Sequence, residues 1–68
     1  MNRPITVFIV DDSAVVRQVF SDFLKSQPDI RVLGSASNPI IARKMMQKQW
    51  PDVILLDIEM PQMNGLEF

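Results

Sequence analysis

Three short apolar runs punctuate the chain, and between them the apolar residues fall into helical spacing. The first run, "ITVFIV" at residues 5–10, is continuous and β-branched, which favours a strand covered on both faces, as in parallel sheets. From Ser13 the period changes. Val15, Val16, Val19, Phe20, Phe23 and Leu24 gather on one side of a helical projection, opposite Arg17, Gln18, Ser21, Asp22 and Lys25. This helix is expected to end before Pro28, because the residue ahead of a proline avoids helical backbone. "IRVLGSAS" (30–37) predicts a second strand that frays at Gly34. Ser37 or Asn38 can then cap a second helix, with Pro39 in its first turn. Its apolar stripe is Ile41, Ala42, Met45 and Met46; Trp50 is expected to cover its end, and "WPD" breaks it. "VILLD" (53–57) predicts a third strand, "IEMPQMNG" a loop, and "LEF" the opening of another helix.

The predicted order is β-α-β-α-β, with a helix in each connection long enough for a parallel crossover. Right-handed crossovers place such helices on the sheet faces. The common arrangement of these parts is a flavodoxin-like α/β sheet with strand order 2-1-3, in which a crevice opens at the carboxyl ends of strands 1 and 3. Asp11, Asp12 and Asp57 all fall at those ends.

Composition narrows the chemistry. The chain has 68 residues, enough for one small domain, and is 47% apolar and 22% charged with a net charge of −1. No Lys/Arg cluster suits nucleic acid or an anionic membrane, and no apolar run reaches the length of a membrane span. The start "MNRPITVF" lacks the apolar core of a signal peptide, so a cytoplasmic location is expected. There is no cysteine and no histidine, which excludes disulfides, thiolate chemistry, a His general base and zinc sites built on those residues.

Asp12 or Ser13 alone would be read as a helix cap, and Asp57 alone as a turn residue. Three carboxylates expected to converge from two adjacent strands call for more. Their mutual repulsion is relieved by protonation or by a cation, and oxygen-only ligands select a hard ion such as Mg²⁺. Such an ion neutralises charge in phosphoryl transfer.

"VDDS", followed by "LLDIEMPQMNG", resembles the response-regulator receiver domain of two-component signalling, from about Ile5 to Phe68. The resemblance implies that residues 1–68 are the N-terminal half of such a CheY-like domain. Carried over, Asp57 matches the phosphoacceptor that takes a phosphoryl group from a histidine kinase. Asp12 matches the direct Mg²⁺ ligand, Asp11 the ligand acting through water, and Glu59 the residue whose backbone carbonyl completes the coordination. Met60, Pro61 and Gly65 match the loop shaping the site, and Asn64 departs from the family's usual Asp. "DDSAVVRQ", "GSASNPIIARK" and "LDIEMPQMNGLEF" further resemble the receiver of chemotaxis protein-glutamate methylesterases. That likeness implies a C-terminal esterase and glutamine-deamidase output domain acting on chemoreceptors, a chemotaxis-type kinase as partner, and no hydrolase site within these 68 residues.

The resemblance puts the family's phosphoryl-sensing Thr or Ser and its acceptor-pairing Lys after position 68. Weak Mg²⁺ binding, poor phosphorylation and self-association are therefore expected of these 68 residues alone. Three other readings compete: the receiver of a DNA-binding regulator, a non-phosphorylated docking module, and a phosphatase with an Asp nucleophile. The intact carboxylates count against the docking module. Glu59, where such phosphatases carry a second Asp, counts against the phosphatase.

Overall fold

The middle of a three-stranded parallel sheet is filled by Val7, Phe8, Ile9 and Val10, all buried. In the computed structural model, which describes residues 3–57, the elements are β1 (Ile5–Asp11), α1 (Ala14–Lys25), β2 (Ile30–Ala36), α2 (Pro39–Met46) and β3 (Val53–Asp57). The sheet order is β2-β1-β3 with both pairings parallel, as the predicted crossovers require. The chain moves from β1 outward to β2, then back across β1 to β3. Right-handed crossovers in opposite directions put the two helices on opposite faces. Phe8 and Val10 accordingly pack with Ala36, Ala42 and Met46 beneath α2. No described helix is long and apolar enough to cross a membrane.

Both helices start where a polar side chain satisfies their first free N–H groups. Ser13 Oγ accepts from the Val16 N–H at 3.3 Å, and Asn38 Oδ1 accepts from the Ile41 N–H at 2.9 Å. Of the two candidate caps for α2, the structure uses Asn38 and puts Pro39 directly after it.

Three expectations are corrected. β2 does not fray at Gly34 but runs on to Ala36, absorbing one extra residue where the register shifts between Val7 and Phe8. The bulge sits where the Phe8 ring lies over Gly34: a Cβ on that glycine would stand 3.1 Å from Phe8 Cε2. α2 ends at Met46 and tightens into i→i−3 turns, with Lys48 N–H on the Met45 carbonyl and Gln49 N–H on the Met46 carbonyl. Ala42 and Met46 are buried as foreseen, but Ile41, Met45 and Trp50 are exposed. The apolar stripe of α1 contributes no fully buried residue, and β3, an edge strand that meets only β1 among the described elements, is exposed throughout. The predicted loop at 58–65 and the helix opening at 66–68 lie outside the described residues.

Candidate functional site at the carboxyl ends of β1 and β3

Asp11 closes β1 and is only 3% exposed. Its Oδ1 accepts the Ser13 N–H at 2.9 Å, folding the chain back from strand into helix. Its backbone carbonyl accepts from Arg17 Nη1 at 2.6 Å, one helical turn beyond the cap. That leaves Oδ2, which is buried and has no hydrogen-bond partner among the described residues. A buried carboxylate oxygen left unpaired costs free energy, so its persistence marks a place for something that donates or coordinates.

The register of β1 on β3 brings a second carboxylate alongside. The strands pair Val7 with Val53 and continue without a break to Asp11 with Asp57. Neighbouring strands lie about 4.8 Å apart, so the two acidic residues end the same rung of the sheet. Asp57 is exposed where Asp11 is buried, because nothing described covers the outer side of β3. Asp12 leaves the strand at the corner, exposed, and the capping role falls to Ser13 instead. The described residues contain no group of three acidic side chains gathered closely enough to hold a metal ion. Glu59, Met60, Pro61, Asn64 and Gly65 lie outside the described residues.

The other end of the same strand pair is fastened by contacts that the sequence reading missed. Thr6 donates to Asp52 Oδ2 from its N–H at 2.9 Å and from its hydroxyl at 3.0 Å. The Asp52 N–H in turn donates to the Thr6 carbonyl and to Thr6 Oγ1, both at 2.9 Å. Arg3 adds a forked ion pair to Asp52, at 3.1 and 3.4 Å. The Thr6 N–H, the Arg3 guanidinium and the Thr6 hydroxyl hold the Asp52 carboxyl below the usual carboxylate range. Thr6 as the one polar residue in "ITVFIV", and Asp52 directly ahead of "VILLD", were the available signals.

The donor set at Asp11 fits a hard cation. It offers a buried carboxylate oxygen with no partner among the described residues and a second carboxylate on the adjacent strand, in a chain without imidazole or thiolate. Mg²⁺ is commonly held by one or two carboxylates, with water and phosphate oxygens filling the remaining positions.

A parallel 2-1-3 sheet with an acidic rung at the carboxyl ends of β1 and β3 defines a class of domain, and residues 7–68 match the response regulator receiver domain. The chain belongs to that family. It is 62% identical over 64 residues to protein-glutamate methylesterase/protein-glutamine glutaminase 3 of Shewanella oneidensis, covering 94% of this chain and 18% of that protein. It is 56% identical over 68 residues to methylesterase/glutaminase 2 of Hahella chejuensis, covering all of this chain and again 18% of the relative. Among solved structures it resembles the response regulator domain of Thermotoga maritima CheB, with a TM-score of 0.77 and 48% identity over 96% of this chain and 48% of that one. A complex of the CheA3 P1 domain with CheY6 from R. sphaeroides matches with a TM-score of 0.76 and 45% identity, over 98% of this chain and 53% of that one. The chain thus spans under a fifth of the curated methylesterases it matches, all within their receiver portion.

Proposed function

We propose that this chain is the phosphoacceptor part of a chemotaxis receiver, with Asp57 taking a phosphoryl group from a phosphohistidine on a CheA-type kinase. The pairing of Asp11 with Asp57, with Asp11 Oδ2 buried and without a partner among the described residues, is the observation that carries this reading. An Asp57 carboxylate oxygen attacks phosphorus, the P–N bond to the kinase imidazole breaks, and the imidazole leaves with the bonding electron pair. Asp57 is exposed, which suits attack on a group presented by another protein. Asp11 and Asp57 would supply the carboxylates that hold Mg²⁺, Asp12 and the Glu59 carbonyl joining them only on the strength of the family resemblance, and the Ser13 and Arg17 contacts fix Asp11 so that one oxygen is left for that purpose. When bound, the ion supplies positive charge against the carboxylates and the phosphoryl oxygens.

The methylesterase relatives and the CheB receiver likeness support a further step: phosphorylation of this domain governs a protein-glutamate methylesterase/glutamine deamidase output domain that acts on chemoreceptors. A cytoplasmic site of action accords with this. The test is phosphoryl transfer from acetyl phosphate, or from a phosphorylated P1-type kinase domain, followed by peptide mapping. The expected result is slow, Mg²⁺-dependent labelling at Asp57 that is abolished in D57N. Labelling elsewhere, or labelling indifferent to Mg²⁺, contradicts the reading.

A further inference from the structure

Between Asp29 and Asp52 the sequence holds Arg31, Arg43, Lys44 and Lys48 and no acidic residue, in a chain whose net charge is −1. The fold gathers three of these cations around one groove. β2 has β1 on one side only among the described strands, α2 packs against it, and between them opens a groove of about 510 Å³. Val32, Leu33 and Met45 give it an apolar lining, and Arg31, Lys44 and Lys48 line it with exposed side chains. Among the described residues none of these cations forms an ion pair; the single pair is Arg3 with Asp52. Lys44 lies in the last turn of α2 and Lys48 in the i→i−3 turn that follows it, and both charges line the groove. The groove is also remote from the acidic rung. Arg31 and Val32 pair with Thr6 and Val7, at the opposite end of β1 from Asp11.

We propose that this groove docks an extended acidic segment of a partner protein. An apolar side chain of that segment rests on Val32, Leu33 and Met45 while its carboxylates meet Arg31, Lys44 and Lys48. Charge complementarity selects this occupant. A second copy meeting the groove symmetrically would bring the same cations against their equals. Nucleic acid needs a run of phosphate contacts that an acidic chain with three local cations does not offer, and it has no use for an apolar floor. A flat anionic membrane does not enter a concave groove. A carboxylate-bearing peptide with apolar residues between its charges satisfies both surfaces at once.

The probe is a short fluorescein-labelled peptide alternating Glu with Leu, titrated with the chain and followed by anisotropy. The controls are the same peptide with Gln for Glu, labelled oligothymidine, and phosphatidylserine vesicles. Binding of the Glu peptide is expected to weaken about tenfold or more in a K44E/K48E variant, and to fall as ionic strength rises through roughly 0.05 to 0.5 M. The milder K44Q/K48Q/R31Q variant is expected to weaken it while keeping the wild-type circular dichroism, and D57N is expected to leave it unchanged. Equal binding of the Gln peptide, unaltered binding by the folded variants, or tighter binding of oligothymidine or vesicles than of the Glu peptide overturns the proposal.

Discussion

Thr6 and Asp52 hold each other by reciprocal hydrogen bonds at the start of β1 and β3, and five residues further along both strands Asp11 stands opposite Asp57. A one-residue slip would flip every side chain of β3 to the other face, and the β1–β3 register runs without a bulge from one end to the other. The clamp therefore sets which residue meets Asp11. It links an ordinary strand-end contact to the geometry of the site.

Replacing Thr6 with Val keeps the shape and removes the hydroxyl that both donates to and accepts from Asp52. The expected loss of stability is about 1–2 kcal/mol, read by urea unfolding. The same contacts predict an acid limb. The folded Asp52 carboxyl ionises below its ordinary value, so its stabilisation is complete above the unfolded pKa, near about 4, and disappears as pH falls through the lower folded value. Asp52→Asn should flatten that limb, measured by unfolding midpoints between about pH 5 and 2.

Asp11→Asn keeps an oxygen for the Ser13 N–H while removing a buried negative charge. In metal-free buffer this variant is expected to be more stable than the parent by about 1 kcal/mol. Adding Mg²⁺ should reverse the order, because the parent gains stability from the ion and the variant does not. Thermal melts with and without Mg²⁺ read both effects.

Gly34→Ala would set a methyl 3.1 Å from Phe8 Cε2. Phe8 is buried among Val10, Ala36, Ala42 and Met46 and has little room to retreat. The substitution is expected to destabilise by about 1 kcal/mol or more, read from the denaturant midpoint.

The outer apolar surface predicts association. Val19 and Phe23 on α1 and Leu56 on β3 are each at least 60% exposed, and β3 has a free edge among the described strands. Sedimentation of the 68-residue chain is expected to show dimers or larger species, with Phe23→Glu shifting the distribution toward monomer.

Much of this architecture was legible in the sequence because local signals agreed with one another. A continuous β-branched run gave β1 its place between two helices, and Ser13, Asn38 and Pro39 marked helix starts by chemistry that needs no tertiary context. What failed were expectations that depend on neighbours. Periodicity shows that Val15, Val19 and Phe23 share a face of α1, but not whether anything described lies against that face. The strand at Gly34 was judged by local propensity, whereas its pairing with Phe8 carries it through. Met45 shares the α2 stripe by spacing and Trp50 stands past the helix end by position, but neither spacing nor position shows what lies against them. At the site, the acidic residues could be read from their positions at strand ends. Arg17 on the Asp11 carbonyl and the Thr6–Asp52 clamp join residues whose partnership exists only after folding.

Whether Asp11 and Asp57 act on one divalent cation is read from Mg²⁺ affinity in a double-mutant cycle. Titration calorimetry of the parent, D11N, D57N and the double variant should show each single change weakening binding by about tenfold or more, with the double variant little worse than either. Mg²⁺ affinity unaffected by D11N, or losses that simply add, would mean that the two carboxylates do not share an ion.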